Sequence, residues 1–180
     1  MIYLFIILGL VLRFVNIIKP EGLWNDEYVS WFVASTPFQN GFWTEVFKQC
    51  HMPLYYLYLK PFVNMSDIVL RLTSVLPSIL AIPVMYLVGK EFSKKNGYIS
   101  AGITAILPFI VYYAQEVRFY SLLFLFSALS LLFVVKLVKE DAGQKYKNAW
   151  CGYIVSSILI LFTHVLGGIY VFLTLFYIFL

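Results

Sequence analysis

The sequence has few charged residues. Asp, Glu, Lys and Arg make up 12% of its 180 residues, about half of the roughly 25% found in soluble domains. So little charge excludes a soluble domain of ordinary composition, and an aromatic content of 19% excludes a disordered chain. The formal net charge of +4 is scattered, so the clustered basic face of a nucleic-acid-binding domain is absent as well.

Apolar residues are abundant instead, at 62% of the chain. A transmembrane helix needs about 20 mainly apolar residues to cross roughly 30 Å of hydrocarbon. We therefore predict an all-α polytopic membrane protein with about six transmembrane helices. The predicted spans are residues 1–18, 69–89, 98–115, 119–135, 149–165 and 168–180. The last two divide one uncharged run at Gly167-Gly168, because that run is too long for a single span.

The distribution of lysine predicts the orientation. Segments 90–97 and 136–148 together hold seven Lys, which indicates that both are cytoplasmic. Segment 19–68 holds three Lys and is predicted to be an outer loop that carries amphipathic surface helices, one of them at 53–62. Cys50 then lies outside and Cys151 near the inner face, so the two cannot pair within one chain.

The first apolar segment lacks the basic start and the cleavage site of a signal peptide, which favours an uncleaved span. Its Arg13 is expected to snorkel to the interface or to pair. The sequence ends inside an apolar run, and we expect it to be the N-terminal part of a larger protein.

The predicted topology brings polar residues from four distant segments to the outer face of the membrane. These segments are Asn25-Asp26-Glu27, Cys50-His51, Gln115-Glu116-Val117-Arg118 and Thr163-His164. Acids, bases and a cation that gather at a membrane surface indicate a functional site.

Each of these residues also has a structural interpretation. Asp26 could be the N-cap of a helix over 28–35. Arg118 could snorkel at an aromatic-rich boundary, and Glu116 could do no more than pair with it. His51 could be an ordinary loop residue, and His164 could pack between helices.

Four motifs follow one another in the chain. They are LWNDEYVSWF (23–32), His-x-Pro-Leu-Tyr-Tyr (51–56), Arg-Leu-x-Ser-Val-Leu-Pro (71–77) and Tyr-x-Gln-Glu-x-Arg-Phe-Tyr-Ser-Leu-Leu (113–123). In this order they resemble the GT-C superfamily of membrane glycosyltransferases. The closer similarity is to the branch that holds protein O-mannosyltransferases and lipid A aminoarabinose transferases.

The resemblance implies an enzyme that moves a sugar from a polyprenyl-phosphate donor to a protein, lipid or glycan acceptor on the outer face of the cell membrane. Asp26 would be the general base, with Glu27 beside it as a second catalytic candidate. The residues expected on the donor side are His51, Glu116, Arg118, Tyr120 and His164. In some aminoarabinose transferases an acidic residue before the second motif helps to hold a metal. Here that position is Cys50, so the need for a divalent cation stays open.

The chemistry of sugar transfer fits these residue types. The transition state resembles an oxocarbenium ion, so a base is needed for the acceptor and positive charge for the departing phosphate. Arg118 can bind two phosphate oxygens at once. Two other classes stay open: a transporter or flippase of lipid-linked sugars, which would use broken spans near the midplane, and a non-catalytic assembly subunit.

Overall fold

The computed structural model describes residues 1–15, 17–18, 22–49, 52–139 and 144–180. Within these ranges every regular element is helical, which confirms the predicted all-α class. The α-helices are α1 (Ile2–Phe14), α2 (Asn25–Ser35), α3 (Phe42–Lys48), α4 (Leu54–Leu59), α5 (Asp67–Lys90), α6 (Lys94–Ile106), α7 (Pro108–Ala114), α8 (Tyr120–Lys139), α9 (Gln144–Thr163) and α10 (Gly167–Ile178). Two 3-10 turns lie at Phe38–Asn40 and Lys60–Phe62. The predictions for Cys50 and His51 fall outside the described residues.

Helix length supports fewer membrane spans than predicted. Among the described residues, α5 and α8 are long and apolar enough to cross a bilayer, and α6 with α7 would make a third span if the pair is taken together. Helices α1 and α10 are apolar but have only 13 and 12 residues. Helix α9 has 20 residues, but its first turns are polar, and it is not among the candidate spans. The structure therefore supports two or three candidate spans and not the expected six, because α1 and α10 are short and α9 is partly polar.

The predicted span 98–115 is not one straight helix. Its two halves, α6 and α7, are bent by 53° at Leu107. Leu107 has the extended backbone (φ −60°, ψ 119°) that is usual for a residue before proline. Pro108 then opens α7 at its first position, where its missing N–H costs no hydrogen bond.

Helix α5 lies at the centre of the structure and packs against α1, α6, α7 and α8, while α8 also packs against α9 and α10. Pro77 and Pro83 lie inside α5 without ending it. The predicted outer segment folds into α2, α3, α4 and the two 3-10 turns. Its buried side chains form one core with those of the α7–α8 connection. This core contains Val33, Ala34, Phe42, Val46, Tyr55, Tyr56, Leu59, Leu70, Val117, Phe119 and Leu122.

Arg13 is completely buried, so of the two alternatives given for it, snorkelling is wrong and pairing with polar groups agrees with the structure. Its Nε donates to Ser78 Oγ at 2.8 Å, and its Nη atoms donate to the carbonyl oxygens of Gly9, Ala105 and Thr104 at 2.9 to 3.1 Å. Thr104 and Ala105 belong to the last turn of α6, where backbone carbonyls have no helical partner and carry partial negative charge. Arg13 therefore joins α1, α5 and the C-terminal end of α6.

Candidate active site

The first turn of α2 meets the short connection between α7 and α8. There, Arg118 Nη2 lies 3.5 Å from Asp26 Oδ2, and the two side chains are 14% and 44% exposed. Arg118 Nη1 also donates to the backbone oxygen of Asp26 at 3.3 Å. The interpretation of Asp26 as an N-cap is wrong, because α2 begins at Asn25 and Trp24 occupies the cap position. The structure thus places an acid and a cation from distant parts of the chain side by side at the surface.

A second acid–cation pair lies directly beneath the first. Arg71 Nε donates to Glu27 Oε1 at 3.0 Å and Arg71 Nη2 to Glu27 Oε2 at 2.9 Å, a bidentate ion pair. The two side chains are 0% and 1% exposed. Among the described residues, Arg71 also donates to the carbonyl oxygens of Ile17 and Gly22 at 3.1 and 2.7 Å.

Glu27 accepts two further hydrogen bonds, both from the backbone. The N–H of Val117 donates to Oε1 at 3.0 Å, and the N–H of Trp24 donates to Oε2 at 3.2 Å. Four donors therefore occupy the carboxylate, and no surface of Glu27 is open to a substrate. The hydrogen bond from Val117 to Glu27 fixes the distance between α2 and the α7–α8 connection. Because Asp26 precedes Glu27 and Arg118 follows Val117, this bond also sets the spacing of the surface pair.

Aromatic rings surround the guanidinium of Arg118. It lies 5.5 Å from the ring centre of Phe119 and 5.6 Å from that of Tyr120. The His164 ring stacks on the Phe119 ring, with 4.4 Å between the ring centres and 23° between the ring planes. The Nδ1 atom of His164 accepts the N–H of Leu166 at 3.2 Å. The structure thus brings the predicted Tyr120 and His164 to Arg118, with Phe119 between them.

Glu116 lies deeper than the other predicted donor-side residues. Its side chain is buried, and it is hydrogen-bonded to Tyr112 of α7. Its backbone oxygen accepts the N–H of Arg118 at 2.8 Å, which tightens the connection on which Arg118 stands. The predicted His51 is not among the described residues.

Sequence reasoning missed two contributors to this site. Arg71 opens the third motif, but the sequence did not identify Glu27 as its partner. The signal was present, since a cation in a predicted span needs polar partners and the nearest outer loop offers an acid. Ser74, one turn further along α5, donates from Oγ to the backbone oxygen of Arg118 at 3.3 Å.

The two tyrosines of the second motif lie close to this site. Tyr55 and Tyr56 of α4 are buried, at 2% and 4% exposure. Burial raises the pKa of Tyr56 to about 12 and raises the pKa of Tyr55 further, while the positive charge of Arg118 opposes both shifts. Both hydroxyls are therefore neutral at physiological pH and contribute no negative charge beside Arg118.

In the parts of the chain that the structure describes, no three His, Cys, Asp or Glu side chains come together as a metal site would require. Cys50 and His51, which lie just before and at the start of the second motif, are outside those parts. The question of a divalent cation thus stays as the sequence left it.

Comparison with known families identifies the chain at the family level. The family model described as dolichyl-phosphate-mannose-protein mannosyltransferase matches residues 52–180. The chain belongs to this family. Membership in this mannosyltransferase family confirms the predicted class, a membrane glycosyltransferase of the GT-C type. The match includes Arg71 and Arg118 but begins after Asp26 and Glu27. No curated protein and no solved structure gave a significant match.

Proposed function

We propose that this chain carries the general base and the phosphate-binding cation of a transferase that moves a sugar from a polyprenyl-phosphate donor to an acceptor hydroxyl. The observation that supports it is the contact between Asp26 and Arg118 at the surface, above the buried pair of Glu27 and Arg71. The finer placement near the aminoarabinose transferases stays a prediction.

Asp26 is the proposed general base. Its carboxylate is 44% exposed and can reach a hydroxyl group that approaches from solvent. As the acceptor oxygen bonds to the anomeric carbon, Asp26 takes the hydroxyl proton. The bond between the anomeric carbon and the phosphate oxygen breaks at the same time, and the electron pair leaves with the phosphate.

Arg118 is the proposed ligand of that phosphate. Its contacts with Asp26, at 3.3 and 3.5 Å, are longer than the roughly 2.7–2.9 Å of a strong charge-assisted hydrogen bond. A phosphate with two available oxygens can therefore replace Asp26 as the partner of the guanidinium. Donor binding would then separate the surface pair and leave the carboxylate of Asp26 for the acceptor.

Glu27 and Arg71 are proposed as positioning residues, which revises the catalytic candidacy of Glu27. Their ion pair joins α2, α5 and the connection that carries Arg118. A site held by buried, fully hydrogen-bonded groups keeps its reacting groups within a fraction of an ångström, which sugar transfer requires.

The family description supplies the substrates of the proposal. It names a dolichyl-phosphate-linked mannose as donor and a protein as acceptor, and we extend both to this chain. A lipid or a glycan acceptor stays an alternative. The lysine distribution supports a reaction on the outer face of the cell membrane.

A transporter of lipid-linked sugars is favoured by one observation, the bend of 53° between α6 and α7, because broken spans are typical of transporter sites. However, the carbonyl groups at the end of α6 are bound by Arg13 rather than open to a substrate. The acid–cation pair lies instead beside the first turn of α8, at a helix end. Transfer is therefore the better-supported function.

The test uses the full-length protein and a polyprenyl-phosphate donor with a radiolabelled sugar. Asp26→Asn is expected to reduce transfer by roughly 10²- to 10⁴-fold, the usual contribution of a general base, with an unchanged melting temperature. The matched control is Asp67→Asn, since Asp67 is another partly buried acid at a helix start. Transfer by Asp26→Asn within a few-fold of the control would disprove the role. Movement of the donor across the bilayer without transfer would favour the transporter.

A further inference from the structure

A cavity lies at the end of the helix bundle away from Asp26 and Arg118, where α8 ends and α9 begins. Its volume is about 380 Å³. It is lined by Glu91, Phe133, Lys136, Lys145, Asn148 and Ala149. Nothing in the proposed reaction uses these residues.

The cavity is remote from the surface pair of Asp26 and Arg118. Helix α8 starts at Tyr120, beside Arg118, and Lys136 lies in its last turns. Sixteen residues of helix correspond to about 24 Å, and α8 is one of the helices long enough to cross a bilayer. A molecule in this cavity would thus sit at the opposite membrane face from the reacting groups.

A third lysine, Lys139, contacts Glu91, one of the residues that line the cavity. Lys139 donates from Nζ to the backbone oxygen of Glu91, and its Nζ lies 4.4 Å from the ring centre of Phe92. This contact ties the C-terminal end of α8 to the residue that follows α5. Lys139 therefore has a structural contact that joins two helix ends, while Lys136 and Lys145 line the cavity.

The lining combines two lysines and one acid with apolar side chains. Within the described ranges neither Lys136 nor Lys145 forms an ion pair, and Glu91 is the single acid in the lining. Phe133 and Ala149 supply the apolar part. A ligand that fits has a negatively charged group joined to an apolar chain, and the end of a membrane-spanning helix lies at the level of lipid headgroups.

We propose that this cavity is a binding site for the headgroup of an anionic phospholipid in the leaflet that faces the lysine-rich segments. The phosphodiester lies between Lys136 and Lys145, and the acyl chains continue along Phe133. The proposal depends on the membrane placement of the chain and is independent of the transfer reaction.

Native mass spectrometry of the purified full-length protein tests the site, with phosphatidylglycerol and phosphatidylcholine of equal acyl chains as probes. Wild type is expected to retain phosphatidylglycerol more tightly. Lys136→Ala with Lys145→Ala should weaken that binding about 30-fold, since each lysine near an anionic headgroup contributes about fivefold. The double change to Arg, which keeps both charges and serves as a folding control, should preserve it. Glu91→Gln should strengthen it.

The matched control is Lys94→Ala with Lys95→Ala, which removes two exposed lysines from another lysine-rich segment. It should leave the lipid preference unchanged. Equal retention of both lipids by wild type, an equal loss in this control, or displacement of the lipid by excess inorganic phosphate would each overturn the proposal. Asp26→Asn should retain the lipid as wild type does, so a failure here is separate from a failure of the proposed function.

Discussion

Two acid–cation pairs stand one above the other in this protein, and their environments differ in every respect. The lower pair, Glu27 with Arg71, is fully buried, bidentate and surrounded by backbone partners. The upper pair, Asp26 with Arg118, is partly exposed, and its contacts are long. Neighbouring residues in the sequence thus have opposite proposed tasks: the lower pair would maintain the geometry, and the upper pair would exchange partners when the donor binds.

The largest expected effect comes from breaking the lower pair. Glu27→Gln leaves Arg71 buried without a full negative charge, and removing one partner of a buried ion pair costs about 3–5 kcal/mol. Thermal unfolding of the full-length protein in detergent measures the loss. Glu45→Gln is the matched control, because its pair with Lys48 is exposed and contributes about 1 kcal/mol or less. Equal losses in the two variants would show that the buried pair does not stabilise the fold.

A smaller effect is expected from Arg118→Lys, which affects the upper pair alone. Lysine keeps the charge but loses the two-pronged geometry and the flat contact with Phe119 and Tyr120. We expect a loss of about 1–3 kcal/mol, or about 5- to 150-fold, in the use of the lipid donor. Steady-state kinetics with varied donor and varied acceptor measure it. Donor kinetics equal to wild type would return Arg118 to the role of a snorkelling residue.

The smallest effect should be the contribution of the upper pair to stability. A double-mutant cycle with Asp26→Asn and Arg118→Gln is expected to give a coupling energy of about 0.2–1 kcal/mol, the range of exposed ion pairs. The coupling should fall further in high salt, because exposed charges are screened. A coupling as large as that of the lower pair would erase the distinction between them.

Local patterns in the sequence predict the helices, but they do not predict which acid pairs with which cation. The apolar runs predicted spans at 69–89 and 119–135, where the structure has α5 (Asp67–Lys90) and α8 (Tyr120–Lys139), because hydrophobic length is a local property. The bend at Leu107 was foreseeable from Pro108. Helical spacing separates Asp26 and Glu27 by about 100°. Which of them faces inward depends on Arg71, 44 positions along the chain from Glu27, and no local pattern carries that information.

The number of membrane spans shows the same limit from another side. Six apolar runs predicted six spans, yet α1 ends at Phe14 and α10 has only 12 residues. An apolar run predicts which residues are kept away from water. It does not state where the chain stops being helical, which depends on neighbouring segments and on residues such as Pro108.

The buried position of Arg13 has a consequence for the order in which the chain assembles. The helix that carries Arg13 is synthesised first. Apart from the carbonyl oxygen of Gly9, the described groups that bind its guanidinium lie 65 to 92 positions later. A lone arginine at the centre of a bilayer costs about 2.5–3.5 kcal/mol, so α1 cannot settle in its final place until α5 and α6 exist. With Arg13 kept in place, a ribosome-bound chain that ends before Ser78 should leave a reporter cysteine at the neighbouring position, Leu12→Cys, open to an aqueous thiol reagent. A chain that extends past Ala105 should protect it.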